Sequence, residues 1–303
     1  MKPANNQHGG IRRTWYKYKY GIIFFAPFFL LFAIFTLLPV AVAFGMSFTN
    51  YDLLQTPKWV GIENFKTLFM KDDIFQISVK NTIVLATVTG ISGYIGSFLM
   101  AWVINQLRFR TAVSLAFYAP SITSSVAMSV VWSYIFSPDR YGVLNNLLTT
   151  LGVVSEPILW NSDSNYVLPA IMVIQIWMSM GTGFLVFLAG FQSINTEIYE
   201  AGRIDGIGNK YQELIYLTFP QMKPQLLFGA INTCVSAFGI FDIPVAFAGL
   251  PSANYSAHTI VAHLYDYAFI RFEMGYASAV AVVLFVIVFF LGRIFMKLLS
   301  SKE

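Results

Sequence analysis

Polar side chains that could bind a solute are sparse in this chain and lie within long apolar segments. Asp242 is the one acidic residue inside a predicted membrane span, and ionisable groups there usually face a bundle interior or a water-filled cavity. Asn232 and Ser236 are four residues apart and share a helix face. They could hydrogen-bond hydroxyl groups of a passing solute or a neighbouring helix. Gln175 and Trp177 leave the same two alternatives open in an earlier segment.

The sequence lacks the residue patterns of catalysis. The phosphate-binding pattern G-x-x-x-x-G-K-[ST] does not occur, so we expect no ATP hydrolysis by this chain alone. His8, His258 and His263 show no metal-ligand spacing, and we expect the last two to be solvated or to cap a helix. No Ser/His/Asp triad can be assembled, and Asp242 has no second acid beside it at membrane depth. We therefore expect no catalytic residue, metal or cofactor in this chain, and no nucleic-acid partner.

Composition places most of the chain in a membrane. Of its 303 residues, 56% are hydrophobic and only 11% are charged, whereas soluble proteins carry about 25% charged residues. A transmembrane helix needs about 20 mostly apolar residues, and six segments meet this requirement. They are Gly21–Phe48 (span 1), Thr82–Leu107 (span 2), Ala112–Phe136 (span 3), Val167–Phe191 (span 4), Leu226–Leu250 (span 5) and Tyr276–Leu299 (span 6). We expect an all-α integral membrane protein in which Gly90, Gly93 and Gly96 let span 2 approach another span closely.

The distribution of basic residues predicts the topology. Most of the 19 Lys and Arg residues lie in the two termini, in the loop at 108–111 and in the loop at 192–225. Basic residues collect on the cytoplasmic side of short loops. Both termini and these two loops are therefore predicted to be cytoplasmic. The remaining loops, Thr49–Asn81, Ser137–Tyr166 and Pro251–Gly275, face outward, where they could receive a partner or merely close the ends of helices.

One loop is too polar and too structured to be a simple connection. Residues Glu197 to Pro224 carry a concentration of charge between two apolar spans. Apolar side chains at helical spacing predict a short helix from Ser193. Gly206 and Gly208 interrupt it, and a second helix is predicted from about Asn209 to Phe219. A polar helix–turn–helix at this place indicates an element that docks onto another protein.

This loop resembles the EAA loop of permease subunits in bacterial ATP-driven (ABC) importers. The family pattern is E-A-A, three residues, G, nine residues and I-x-L-P; here Glu200-Ala201-Gly202, Arg203-Ile204-Asp205 and Gly206 follow it, and Leu217-Thr218-Phe219-Pro220 closes it. Gly202 replaces the second Ala, and ten residues rather than nine separate Gly206 from Leu217. One extra residue would turn a helix by about 100°. We expect it in the Gly206–Asn209 turn, because glycine tolerates unusual backbone angles.

Further blocks resemble the sugar-importer subclass of these permeases. They include Ser47-Phe48-Thr49-Asn50-Tyr51-Asp52, Val60-Gly61-Ile62-Glu63-Asn64-Phe65, Trp132-Ser133-Tyr134-Ile135-Phe136-Ser137-Pro138, Phe187-Leu188-Ala189-Gly190-Phe191-Gln192-Ser193-Ile194 and Phe272-Glu273-Met274-Gly275-Tyr276-Ala277-Ser278-Ala279. The resemblance implies the type I importer fold in the bacterial inner membrane. Residues 1–20 and 300–303 would be cytoplasmic tails of a permease domain at 21–299, whose coupling loop covers 193–225.

The resemblance also implies a set of partners. A second homologous permease would complete the pore, two ATPase subunits would bind ATP and Mg, and an extracellular binding protein would deliver a carbohydrate. Contact with the ATPase would fall on the residues that match the EAA pattern, namely Glu200, Ala201, Gly202, Asp205, Gly206, Leu217 and Pro220.

Two other functions stay open at this point. One is an ABC permease for an amino acid or another small solute. The other is a secondary transporter or channel that works without ATP, which would require a second midplane charge or an inverted repeat; inspection of the sequence reveals neither. The sequence does not indicate which sugar is carried, nor whether the substrate site lies in this subunit or its partner.

Overall fold

The computed structural model describes residues 9–299, and the regular structure among them is helical. The two ends of the chain, 1–8 and 300–303, lie outside the described residues, and with them most of the tails expected from the sequence. The elements are α1 (Gly9–Phe32), a π-helical turn (Ala33–Leu37), α2 (Leu38–Met46), α3 (Glu63–Met70), α4 (Asp73–Asn105), α5 (Arg110–Ile122), α6 (Ser125–Ile135), α7 (Val143–Thr150), α8 (Val167–Ser193), α9 (Thr196–Ile204), α10 (Lys210–Gln212), a π-helical segment (Glu213–Thr218), α11 (Phe219–Gln221), α12 (Lys223–Phe238), α13 (Asp242–Ala248), a 3-10 turn (Ala253–Tyr255), α14 (Ile260–Tyr265), a second π-helical turn (Asp266–Ile270) and α15 (Met274–Leu299). Within this part of the chain, strand-like pairing is limited to one isolated bridge, Thr49 to Trp59.

Among residues 9–299, five stretches are long and apolar enough to cross a membrane: Tyr18–Met46, Asp73–Asn105, Val167–Ser193, Lys223–Ala248 and Met274–Leu298. The segment predicted as span 3 is sharply bent, since α5 and α6 meet at 96°. Thr123 and Ser124 have extended backbone, with ψ of 143° and 131°. Pro120 precedes them in the last turn of α5 and has no N–H to continue the hydrogen-bond ladder. Counting this bent pair as one span gives the expected six.

Span 5 is also interrupted. Its inner part, α12, ends at Phe238, and α13 begins at Asp242 after a break at residues 239–241. The sequence places a bend near Pro244, and the break lies just before that residue. Proline is tolerated in the first turn of a helix, where its missing N–H would have no partner, so Pro244 fits the start of α13.

Span 2 is the centre of the bundle. Helix α4 packs along α8 and α12, and Phe98 and Phe187 meet edge to face at 5.5 Å in the core between them. The expected glycine contacts are confirmed. A Cβ on Gly96 would lie 2.7 Å from Met180, and one on Gly90 would lie 3.6 Å from Ala237. These glycines therefore set the close approach of span 2 to spans 4 and 5.

The first span stands apart from this bundle. None of the most apolar part of Tyr18–Met46 is buried within the chain, and only its outer end, α2, packs against α15. A helix that is apolar on all sides needs lipid or another protein around it. Most of span 1 therefore faces lipid or a second chain.

Candidate coupling element and solute path

The first helix of the polar loop is α9, which begins at Thr196 rather than at Ser193. Ser193 ends α8, and Ile194 and Asn195 are extended with ψ of 129°. Asn195 then caps α9, because its side-chain oxygen accepts the N–H of Glu197 at 3.1 Å. Asn is among the residues that cap helix N-termini best. Only two residues therefore separate α9 from the end of α8.

A Schellman motif ends α9. Gly206 has φ +91° and donates its N–H to the carbonyl of Arg203 at 3.2 Å, while the N–H of Ile207 bonds the carbonyl of Gly202 at 2.9 Å. This is the paired hydrogen-bond arrangement of a glycine-terminated helix. Ile207 also folds back over the helix, since its Cδ1 would lie 3.3 Å from a Cβ on Gly202. The turn thus requires a residue that accepts positive φ at Gly206.

The second helix runs from Lys210 to Gln221 but is not uniformly α-helical. Asn209 caps it by accepting the N–H of Gln212 at 2.8 Å, and Glu213–Thr218 form a π-helical segment. A π-helical turn holds more residues than an α-helical one. The second helix thus contains a segment that can hold an extra residue, in addition to the Gly206–Asn209 turn where we expect it. Pro220 follows this segment and lies in the last turn of the second helix.

The two helices form one packed unit, which we call the coupling pair (residues 196–221). A Cβ on Gly202 would lie 2.6 Å from Leu217 of the second helix. Close packing therefore accounts for glycine where the EAA pattern has alanine. The hydroxyls of Tyr199 and Thr218 are hydrogen-bonded at 3.0 Å. The two helices are therefore in direct contact, and the space at Gly202 is too small for a methyl group.

A buried carboxylate adds charge to this contact. Glu213 is 8% exposed and lies 2.6 Å from the Lys210 ammonium and 3.6 Å from the Arg203 guanidinium. Lys210 belongs to the same helix as Glu213, whereas Arg203 lies on α9. A carboxylate out of water is stable only when cations or donors replace its hydration. Glu213 therefore holds the second helix to the first.

The coupling pair presents another set of side chains outward. Ile204 is 88% exposed, and Glu200, Ala201, Asp205 and Gly206 are exposed around it. Large apolar groups so exposed on a polar element usually mark a protein contact. The EAA residues therefore divide into an outward surface and the inward-packing Gly202 and Leu217. Ile204 is a further candidate for contact with a partner protein, at a position that the EAA pattern does not specify. The sequence could have indicated it, because it is an isoleucine among charged residues.

The solute-path candidates on span 5 face away from the rest of the chain. Asn232 and Ser236 are exposed on α12 and make no side-chain hydrogen bond to another described residue. Asp242 is exposed in the first turn of α13, where the partial positive charge of a helix N-terminus favours a carboxylate. The structure thus provides no packing contact within this chain that would explain the polarity of Asn232 and Ser236.

On span 4 the corresponding candidates lie beside the bent span 3. Gln175 is partly buried, and Trp177 is 41% exposed. The ring of Trp177 meets Trp132 of α6 edge to face at 5.3 Å. The indole N–H of Trp132 is buried and has no partner among the described residues. Trp177 therefore offers an exposed aromatic face, whereas the donor of Trp132 lies behind it, out of contact with solvent.

The break in span 5 lies beside α6. Helices α6 and α13 pack on one another through a core that contains Phe136, Ile243 and Phe247. Non-helical backbone at membrane depth is tolerated where it is buried in protein or lines a water-filled cavity. Because Phe136 follows the last residue of α6, this core places the break at 239–241 and Asp242 near the C-terminal end of that helix.

The expectation that His258 and His263 are solvated or cap a helix is wrong. They are 2% and 1% exposed, with His258 Nε2 3.3 Å from His263 Nδ1 and His263 Nε2 3.1 Å from the Asp72 carboxylate. Burial, together with neighbouring His263, lowers the pKa of His258 to about 4. For Asp72, burial acts to raise the pKa, but hydrogen bonds from His263, Tyr276 and the Phe75 N–H outweigh it and hold the pKa well below its usual range. Sequence spacing could not reveal this cluster, because Asp72 lies about 190 residues from its histidine partner.

The described residues thus form a bundle of apolar spans with a packed polar helix pair between spans 4 and 5. Residues 93–302 match the family described as "Binding-protein-dependent transport system inner membrane component". The chain belongs to this family. It is a transport subunit of the inner membrane and the permease of a binding-protein-dependent ABC importer.

Individual relatives agree with this assignment. The chain is 35% identical over 283 residues to the probable ABC transporter permease protein YesP of Bacillus subtilis (strain 168), covering 91% of this chain and 89% of YesP. It is 28% identical over 302 residues to the arabinooligosaccharides transport system permease protein AraP of the same organism, covering 99% and 95%. It also superposes with a TM-score of 0.78 and 25% identity on a chain from a crystal structure of a bacterial ABC transporter involved in the import of the acidic polysaccharide alginate, covering 96% of this chain and all of that one. The predicted fold class and family are confirmed.

Proposed function

We propose that this permease imports a sugar or oligosaccharide and that ATPase subunits drive it through the coupling pair. The observation that carries the proposal is the rigid, outward-facing helix pair placed between spans 4 and 5. Support for a carbohydrate comes from the relatives, since AraP is named for arabinooligosaccharides, LacF of Rhizobium radiobacter for lactose, and the similar crystal structure for alginate.

The coupling pair is well placed to transmit motion. Only two residues separate α8 from α9, and Met222 alone separates α11 from α12. A displacement of the pair would therefore be passed to both spans with little slack. ATP can move this equilibrium only by binding one state of the ATPase subunits more tightly than the other. Two such subunits, which would bind ATP and Mg, are thus part of the proposal, and this chain supplies no ATPase activity of its own.

The proposed route for the sugar passes the exposed polar stripe and the breaks. Asn232 and Ser236 offer hydrogen bonds, and Trp177 offers an aromatic face to a sugar ring. Asp242 lies next to the interrupted backbone of span 5, and transporters commonly bind their substrates at such discontinuous helices. Because the stripe faces away from this chain, a second permease subunit would form the opposite wall.

The topology and the external partner complete the proposal. With both termini cytoplasmic, the coupling pair meets the ATPases, and the loops at 49–81, 137–166 and 251–275 lie outside. Exposed aromatic and apolar side chains in those loops, such as Tyr141 (90%), Trp59 (73%) and Leu54 (91%), suit a docking surface for a solute-binding protein.

Reconstitution tests the proposal. The chain, its co-purifying permease and ATPase subunits, and the binding protein would be placed in proteoliposomes and given a panel of labelled mono- and oligosaccharides, with amino acids as controls. We expect uptake of at least one saccharide that requires ATP and the binding protein. Uptake driven by an ion gradient without ATP would refute the mechanism, and transport of amino acids alone would refute the substrate class.

A further inference from the structure

The outer side of the bundle contains a buried polar chain that the proposed mechanism does not yet use. Asp72 caps α4 by accepting the N–H of Phe75 at 2.8 Å, and its other carboxylate oxygen accepts hydrogen bonds from His263 and from the hydroxyl of Tyr276. His258 extends the chain through His263. Buried ionisable groups are stable only when their bonding is satisfied. These hydrogen bonds therefore join the start of α4 to residues 258–276, about 190 residues further along the sequence.

The loop before α14 is tied to α4 at two further points. The side-chain amide of Asn81 donates to the carbonyls of Tyr255 and His258 at 2.8 and 3.1 Å. The N–H of Ile260 donates to the hydroxyl of Thr82 at 2.9 Å. Each of these bonds is buried or partly buried. The segment from residue 255 to 263 therefore has a fixed position relative to span 2.

One hydroxyl connects this fixed segment to the break in span 5. Thr259 donates to the carbonyl of Ile240, inside the break, at 3.2 Å, and accepts the N–H of Ala262 at the start of α14. The ring of Phe241 meets Tyr265 of α14 at 4.9 Å. The carbonyl of Ile240 has lost a regular helical partner because α12 has already ended. Thr259 replaces that partner from an element anchored to Asp72.

One ring nitrogen of the cluster has no hydrogen-bond partner within residues 9–299. His263 Nε2 faces the Asp72 carboxylate, and His263 Nδ1 faces His258 Nε2. Nδ1 of His258 is buried without a partner among the described residues. A second proton on His258 would place an unpaired N–H in the core. The charged or titratable groups that act on His258 are Asp72, His263, Asp266 and Arg271.

We infer that Asp72, His263 and Thr259 are positioning residues for transport, which hold the break at 239–241, and with it Asp242, in place beside α6. The inference rests on the proposed function, because only a solute path gives the position of Asp242 a role. The hydrogen bonds around Asp72 hold α14 in place, and the hydroxyl of Thr259 in turn holds the carbonyl of Ile240.

A matched pair of substitutions tests the link. Thr259→Val keeps the shape of the side chain and removes the hydroxyl, whereas Thr259→Ser keeps the hydroxyl. Amide hydrogen exchange would be measured on the purified complex without substrate, at peptides that cover 243–249, 260–267 and 97–105. Loss of a buried hydrogen bond should speed exchange in α13 by about three-fold or more in the Val variant. The Ser variant should match the wild type, and 97–105 should not change in either.

Asp72 provides the second arm of the test. Asp72→Asn should speed exchange in both α14 and α13, while Asp73→Asn, an exposed neighbour at the start of the same helix, should alter neither. ATP-driven uptake relative to ATP hydrolysis should fall in Asp72→Asn and Thr259→Val and return in Thr259→Ser. A smaller amount of folded complex would reduce uptake and ATP hydrolysis together, so it would leave this ratio unchanged.

The possible results separate cleanly. Faster exchange in α14 without any change in α13 would show that Thr259 only caps α14, and would overturn the inference while leaving the proposed function intact. Equal acceleration in all three peptides would show general destabilisation and would overturn it as well. Failure of the wild-type complex to take up any saccharide with ATP would instead refute the proposed function, whatever the exchange data show.

Discussion

Gly206 provides the sharpest test of the coupling pair, because its neighbour Gly208 is a built-in control. Both glycines lie in the same turn, and a Cβ on either would meet no atom within 4 Å. Only Gly206 has positive φ, at +91°. Alanine at either position therefore adds the same methyl group to open space, and the two variants differ only in backbone strain.

The size of the effect follows from the backbone angle. Left-handed conformations cost an L-residue about 1–2 kcal/mol, which would lower the population of the observed turn by at most about 5- to 30-fold. If the ATPase binds only that turn, its apparent Kd rises by the same factor. Gly208→Ala should leave Kd near the wild-type value, because alanine at an unstrained position is neutral or mildly stabilising.

The assay is a titration of the ATPase subunit onto permease proteoliposomes, combined with the ratio of ATP hydrolysed to solute taken up. We expect weaker binding and a higher ratio for Gly206→Ala alone. Equal behaviour of the two variants would show that the Schellman turn is not required for docking. A larger loss in Gly208→Ala would place the contact on the other side of the turn.

Three further perturbations test separate parts of the chain. Asp242→Ala should lower substrate-stimulated ATP turnover in the assembled complex; unaltered turnover and transport would remove this carboxylate from the path. Glu213→Gln should loosen the coupling pair by at most about 1 kcal/mol, because the partly exposed ion pair with Arg203, which joins the two helices, is lost, and exchange in 196–204 should rise; unchanged exchange would show that packing alone holds the helices. Because the pKa of His258 is about 4 against an ordinary 6.5, the protein binds that proton more weakly than the opened segment does. The free energy of opening residues 255–267 should therefore be highest above about pH 6.5 and should decrease by at most about 3 kcal/mol as the pH falls toward 4. His258→Gln should abolish that decline in exchange measurements corrected for intrinsic rate, and a decline that persists would assign it to another group.

The sequence was sufficient for features that depend on periodicity and on local turn chemistry. Apolar length predicted the spans, and Gly206 marked the turn between the coupling helices because positive φ favours glycine. The glycines of span 2 indicated a close helix contact, and the structure places Met180 and Ala237 there. Each of these signals lies within a few residues of the feature that it predicts.

Features that depend on distant contacts were not predictable. Gly202 departs from the family pattern for a reason visible only in three dimensions, namely the approach of Leu217 from the other helix. His258 and His263 lie in an outer loop whose polarity suggested solvent, yet Asp72 and Tyr276 enclose them. Local propensity contains no information about a partner that lies about 190 residues away. The bend of span 3 is a different case, because a local signal exists: Pro120 and the polar residues Ser121, Thr123, Ser124 and Ser125 surround the break.

The interruption of span 5 determines how far a movement of the coupling pair could travel. Below the break, α12 continues from the pair through Met222 and would move with it. Above the break, α13 packs on α6 and is held through Ile240 by the outer segment around Thr259. Span 4 has no such interruption, since α8 runs from Val167 to Ser193. A push from the ATPase would therefore tilt span 4 as a whole but bend span 5 at residues 239–241, so that the inner part of the path opens or closes while the outer part stays fixed. Asp242 lies at that hinge, which is why its substitution should affect the coupling of ATP turnover to the solute more than the assembly of the complex.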